Sequence, residues 1–441
     1  MASGVIFGLS PVLVAATILV VTYALVISDR FDRSILAILG AGLMILSGVL
    51  DQDEAIRGID FNTIALLTGM MVLVAIARRS GIFEFLALRS AQLVNASPAG
   101  VLILLSAVTA LVSSLLDNVT TVLLIAPVTL SIAQRLKIAP FPFLFAEVMA
   151  SNIGGTATLI GDPPNIMIGS AAGLSFNAFI LGLTPIILVV LAFQLAATHL
   201  IWGRSAAASA AARAEVMALK ASSAITDPRL LRIAIAVFAA TLLAFIFARA
   251  LRLEPGSIAL IGAAALMLLD NLAHHREAQA ARIVGVYGDV DWITIFFFVG
   301  LFVVVHGFVS TGAMAAVAQT LVKAFHGNLA ITASAILWAS AVLSALIDNI
   351  PFVAAMIPLI KLLAPAFGGE EALLPLWWAL SLGACLGGNG TLIGASANLT
   401  VAGFAQRNGV RFDFLTYTKW AAPLTLMSIV LCQIYLWLRF F

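Results

Sequence analysis

The fold class predicted by this sequence is an all-α polytopic membrane protein built from two inverted repeats. Three observations carry that prediction. The 441-residue chain is 62% apolar and only 10% charged, whereas soluble domains carry about 25% charged residues. Many apolar runs reach the roughly 20 residues needed to cross a bilayer. A set of residues also recurs at one fixed offset. Asp60, Gly69, Gly81, Ser113, Asp117, Asn118 and Pro127 return 231 residues later as Asp291, Gly300, Gly312, Ser344, Asp348, Asn349 and Pro358.

In chain order, apolar runs predict ten full crossings, at 11–27, 34–50, 62–77, 141–170, 177–200, 230–250, 256–271, 292–309, 372–405 and 415–438. Two further segments, 98–135 and 328–365, are long enough for two short arms each, and each carries Asp-Asn near its middle. A straight helix would place that aspartate deep in the bilayer. A re-entrant hairpin places it at a buried tip, where non-helical backbone is tolerated because it faces protein or water. The segments 82–94 and 313–325 are too short to span and mix apolar with polar residues, as interfacial amphipathic helices do.

The domains are accordingly a first repeat at 1–200, a cytoplasmic linker at 201–229 and a second repeat at 230–441. Each repeat has five crossings and one hairpin, so the second is inverted relative to the first. With the linker inside, 17 of the 23 basic residues, Arg33 among them, fall on the cytoplasmic side, as the positive-inside rule requires. Both termini are then external and the location is the inner (plasma) membrane. No basic stretch precedes the first apolar run, so a cleaved signal peptide is not expected. The Ala-rich linker reads as a solvated helical connector.

A second paired motif follows each hairpin: GGTATLIGDPPN from Gly154 to Asn165 and GGNGTLIGASAN from Gly387 to Asn398. Membrane helix does not carry this density of Gly and Pro as regular helix, and Pro163-Pro164 suits the first turn of a new half-helix. The segments 141–170 and 372–405 are therefore expected to be broken helices. Discontinuous helices at matching places in inverted halves point to a transporter's midplane site. Their free N–H groups and dipole ends attract anionic groups, and unwound carbonyls coordinate cations.

The candidate solute- and ion-binding residues are Asp117, Asn118, Thr120, Gly154, Thr156, Thr158, Asp162, Asn165, Asp348, Asn349, Gly387, Asn389, Thr391 and Asn398. The tip aspartates have three readings: proton carriers, cation ligands, or caps accepting backbone N–H bonds. Ionisable groups in the bilayer are expensive, which favours a functional role. The pseudo-symmetry fails where Asp162 meets Ala395, Thr120 meets Pro351 and Thr156 meets Asn389. Those positions are expected to separate substrate from coupling ion. Close helix packing is the plain alternative for the Gly-Gly pairs. Glu147 could face the site or be a buried, bonded side chain, while His306 and Cys385 read as a core histidine and a small buried residue.

No Walker A, HExxH or GxSxG pattern is present, so ATP-driven pumping and the commoner hydrolase chemistries have no support. Cys385 and Cys432 lack metal or disulfide spacing. The chain reads as a carrier and not an enzyme, with no cofactor, no resident metal and no nucleic-acid partner.

At these residues the chain resembles the ArsB / P-protein branch of the ion transporter superfamily, over essentially its whole length. The run SNIGGTATLIGDPPN, Ser151 to Asn165, is close to that branch's signature. Asp117-Asn118-Val119-Thr120-Thr121 and Asp348-Asn349-Ile350-Pro351 are similar to its hairpin tips. The resemblance implies a scaffold domain, a mobile domain holding hairpins and broken helices, and elevator-type alternating access. It also implies arsenite or antimonite efflux, sodium/proton antiport or anion transport as the activity. None of the named polar positions is basic, and a site without arginine suits uncharged arsenite better than a multivalent anion. Proton-coupled efflux of arsenite or antimonite is therefore the leading expectation. The alternatives are a sodium/proton antiporter and an anion or carboxylate carrier. A partner ATPase subunit is compatible with the branch, but no motif indicates one.

Overall fold

The computed structural model describes residue 5 and residues 8–28, 30–272 and 274–441. The first half runs α1 (Pro11–Ile27), α2 (Arg33–Leu46), α3 (Gln52–Arg57), α4 (Phe61–Arg78), α5 (Ile82–Leu93), α6 (Pro98–Ser113), α7 (Asn118–Arg135), α8 (Phe141–Thr156), α9 (Pro163–Ala172), α10 (Phe176–Gly182) and α11 (Thr184–Thr198). A connector containing α12 (Ala210–Met217) follows. Then come α13 (Pro228–Ile246), α14 (Ala248–Leu251), α15 (Pro255–Asn271), α16 (Arg276–Gly288), α17 (Trp292–Ser310) and α18 (Ala313–Ala324). The chain closes with α19 (Leu329–Leu346), α20 (Asn349–Leu362), α21 (Ala364–Phe367), α22 (Leu374–Gly387), α23 (Ser396–Arg407) and α24 (Phe414–Phe440). No strand occurs among the described residues.

Seven of the described helices are long and apolar enough to cross a bilayer. Six of them coincide with expected crossings; the seventh is α19, expected as a hairpin arm. The expected crossings at α1, α2 and α15 are helices of 17, 14 and 17 residues. At 1.5 Å per residue the longer of these reach about 26 Å, a little under the roughly 30 Å of hydrocarbon. The remaining expected crossing, 141–170, is divided between α8 and α9.

Local chemistry explains why the helices start where they do. Asp60 caps α4 by accepting from Asn62 N and Thr63 N, and Asp291 caps α17 by accepting from Thr294 N. Gly81 and Gly312 take left-handed φ values of 80° and 79° ahead of α5 and α18, a conformation that glycine adopts without a Cβ penalty. Pro127 and Pro358 lie inside α7 and α20.

Packing divides the helices into two groups. In one, α2 packs on α17 and α4 on α15, with α1 against α2 and α13 against α15. Both central crossings are tight because glycine admits the partner backbone. A Cβ at Gly69 would lie 2.6 Å from the Ala259 carbonyl carbon, and one at Gly300 would lie 2.4 Å from that of Ala37. In the other group α6 packs on α8 and α19 on α22, while α7 meets α23 and α20 meets α9. Large apolar side chains such as Leu13, Leu39, Leu188, Leu243 and Leu426 remain exposed, as lipid-facing residues do.

Two elements lie outside the sequence expectation. The α3 helix carries a capping box between Asp51 and Glu54, a signal visible in the sequence. The α16 helix is tied to α15 by a two-pronged Arg282–Asp270 pair at 2.6 and 3.1 Å. The connector is also less free than a solvated spacer. Val216 is fully buried, Arg213 donates to Asn95 O, Gln92 donates to Leu219 O, and Thr226 N donates to Ser80 O.

Candidate functional site

The two breaks are built alike. Helix α8 ends at Thr156 and α9 restarts at Pro163; α22 ends at Gly387 and α23 restarts at Ser396. The chain folds back on itself at glycine pairs. A Cβ on Gly161 would lie 2.6 Å from Gly155 O, and one on Gly394 would lie 2.6 Å from Gly388 O. Unwinding frees carbonyls that must find donors, and Asn and Thr supply them. Asn165 Nδ2 donates to Thr156 O and Thr158 O at 3.1 and 2.9 Å, and Asn398 Nδ2 donates to Gly388 O and Thr391 O at 2.8 and 2.9 Å. Thr158 and Thr391 reach across to Ser114 O and Ala345 O on the hairpins. Gly154 and Gly387 seat on the backbone of Ala110 and Ala341. These six candidates therefore hold the breaks in shape.

Five of the remaining eight candidates converge on a cavity of about 200 Å³. Asp117, Asn118 and Thr120 reach it from the first hairpin, Asn349 from the second, and Asp162 from the start of α9. Asp117 caps α7 by accepting from Thr120 N at 2.8 Å. Asp162 is 1% exposed, and its Oδ2 finds no hydrogen-bond partner among the described residues. Asp348 lines an adjoining cavity of about 340 Å³ together with Arg33 and Ser396. Thr156 and Asn389 lie within the packed interior. Thr156 Oγ1 donates to Asn152 O, and Asn389 accepts from Asn152 Nδ2 at 2.8 Å.

Residues outside the sequence-based candidates complete the site. Arg33 Nη1 donates to Asp348 Oδ2 at 3.0 Å and to Ser396 Oγ at 2.9 Å, and Nη2 donates to Thr294 Oγ1 at 2.9 Å. The guanidinium also lies over Phe297, 5.2 Å from its ring centre. The expectation of a site without arginine is thus corrected. Arg33 is the first residue of α2, and it looks like a loop charge until the fold carries its long side chain onto the second hairpin tip. Asn152 is another. It donates to both Asn389 and Asn398 and accepts from Asn118 at 3.0 Å, joining the two halves through one side chain. Its only sequence signal was its place inside the Ser151–Asn165 run.

The charges of the cavity can be paired off. Arg33 is matched by Asp348, and Asp289 by Arg79 at 3.4 Å. That leaves Asp117, Asp162 and Asp291 against Arg78 among the lining residues. Such a wall attracts protons and cations and repels a polyanion. Glu147 is buried and accepts from Thr129, with its second oxygen unpartnered, and it does not line this cavity. Cys385 Sγ lies 3.6 Å from Asn165 Oδ1, beside the first break. Among the described residues no group of three His, Cys, Asp or Glu is placed to hold a metal ion.

Comparison with known proteins agrees with this architecture. The chain matches the citrate transporter family over residues 23–383. It is 43% identical to a protein of Mycobacterium tuberculosis named as an uncharacterized transporter, over 97% of this chain and 98% of that one. It is 32% identical to the P protein of Sus scrofa, over 96% of this chain and 59% of the other. The crystal structure of the YdaH transporter of Alcanivorax borkumensis shares the fold, with a TM-score of 0.62 over 98% of this chain and 99% of that one, at 14% identity. The chain belongs to the citrate transporter family of the ion transporter superfamily and is a multi-pass membrane transporter of small solutes.

Proposed function

We propose that this family member is a proton-coupled secondary transporter that expels a small uncharged polyhydroxyl solute, arsenite or antimonite, by elevator-type alternating access. The observation that carries the reading is the cavity where Asp162, with an unpartnered carboxylate oxygen, shares a wall with Asp117. Protonation from one side and release to the other would couple proton entry to solute exit. A wall with three unmatched carboxylates against one guanidinium can take up protons and disfavours a multivalent anion, which leaves a neutral solute compatible with it.

The elevator reading rests on matched packing. α2 on α17 and α4 on α15 form one group, and the hairpins and breaks form the other. The same pairs support two inverted repeats, because each contact has a counterpart with the halves exchanged. An inner (plasma) membrane location, external termini and ten crossings remain part of this proposal.

One observation favours a second reading. Arg33 reaches the second hairpin tip, and the matched family is described as citrate transporter. If the guanidinium left Asp348 for a carboxylate, the solute would be an organic anion. Proteoliposomes separate these readings. Arsenite, citrate and sodium are loaded in turn, with and without a pH gradient. Gradient-driven arsenite movement supports the first reading. Citrate movement without arsenite movement establishes the second, and sodium exchange for protons with neither solute establishes an antiporter.

A further inference from the structure

The cavity just described has a counterpart at the other end of α4. Met71, Val74, Ala75, Arg78 and Leu123 line the first cavity. Their counterparts 231 residues on are Phe302, Val305, His306, Val309 and Ala354, and every one of them lines a second cavity of about 360 Å³. The two cavities are thus matched in position but differ in their balance of charge. With the paired Arg33 and Asp289 set aside, the first presents Asp117, Asp162 and Asp291 against Arg78, whereas the second presents Arg57, Lys361 and the His306 ring against Asp60.

Among the described residues Asp60, the counterpart of Asp291, is the one carboxylate lining this second cavity, and like Asp291 it caps its helix while keeping its charge. It accepts from Asn62 N, Thr63 N and Thr63 Oγ1 at 3.1, 3.2 and 2.7 Å. Arg57, His306 and Lys361 make no hydrogen bond or ion pair with any described residue. Gly58 fixes the ring, because a Cβ there would lie 2.7 Å from His306 Cγ. Ser170 adds a hydroxyl to the wall. Arg57 and Lys361 outnumber the single carboxylate of this concave wall, and guanidinium and ammonium groups are strong donors to oxyanions.

We propose that this second cavity, lined by Arg57, His306 and Lys361, is a binding site for a small multivalent oxyanion, separate from the acidic cavity. It lies beside α9 and α20, which carry Met167 and Ala354 into its wall. An anion held there bridges α3 and α17 to the helices that bear the break and the second hairpin tip. It would therefore favour the arrangement in which these groups lie together.

The test reads binding and needs no transport. Thermal unfolding of the purified full-length protein in detergent is followed against inorganic phosphate, with ionic strength held constant by sodium chloride. Saturable stabilisation by phosphate beyond that of chloride is expected. The Arg57→Gln/Lys361→Gln variant should weaken the apparent affinity about tenfold or more, since each charged donor contributes at least that much when removed. Both residues are exposed, so the variant should fold. The exposed control Arg249→Gln should leave the affinity unchanged. No saturable response, an undiminished response in the double variant, or an equal loss in Arg249→Gln would overturn the proposal.

Discussion

Asn152 occupies the point where the two halves exchange side-chain hydrogen bonds. Its removal would leave an amide of Asn118 and the side-chain oxygens of Asn389 and Asn398 without their partner. Buried polar groups left unmade are expensive. Asn152→Ala is expected to destabilise the protein by about 2–4 kcal/mol, read as thermal unfolding in detergent. At the same scale, Asp162→Asn keeps the shape of the side chain and removes its titration. Gradient-driven solute movement should fall to that of protein-free liposomes. Asp117→Asn should do the same while folding normally, because Asn is as good a helix cap as Asp. If both variants keep transport with an unaltered pH profile, these two carboxylates are not the proton carriers. Asp162 was legible in the sequence as the acid without a twin. Asn152 and Arg33 were not, because nothing in a one-dimensional pattern says which residue a long or amide side chain will meet across the fold.

At the scale of elements, the paired glycines set how closely helices approach. A Cβ on Gly154 would lie 2.1 Å from Ala110 O, and one on Gly387 would lie 2.5 Å from Ala341 O. Backbone atoms cannot step aside as a flexible side chain can. Gly154→Ala and Gly387→Ala should each cost about 1–3 kcal/mol, measured by thermal unfolding. Gly42→Ala in α2 is the control: nothing lies within 4 Å of its added Cβ. It should be neutral or slightly stabilising, since alanine is the better helix former. An equal loss in the control would mean that generic glycine effects, and not close approach, govern these sites. The breaks themselves were legible as Gly- and Pro-rich runs. The roles of their Asn and Thr were assigned to the solute from sequence, whereas Asn165, Asn398, Thr158 and Thr391 bind the unwound backbone. That outcome follows from the need to satisfy every freed carbonyl in a dry interior.

For the molecule as a whole, the proposed elevator-type alternating access would require α9 and the hairpins to move past α4 and its neighbours. Asn62 on α4 donates to Ser170 on α9 at 3.1 Å, so the two groups touch there. Cysteines at Asn62 and Ser170 joined by a short thiol crosslinker should abolish solute movement, and cleavage of the link should restore it. The native Cys385 and Cys432 are buried and should not compete. Full transport in the crosslinked protein would rule out relative displacement of α4 and α9.

The sequence by itself determined the membrane class, most of the helical elements, the internal repetition and the two places where helices break. Each of these depends on composition or on residues near one another in the chain. Only the tertiary structure decided which polar residues are exposed to a cavity and which are consumed in holding the breaks. It also placed Arg33 against Asp348, made Asn152 the shared partner of both breaks, and gave two matched cavities different balances of acid and base. These arrangements join side chains up to several hundred positions apart. Their pairing is fixed by the crossing of helices and not by any local preference of the chain.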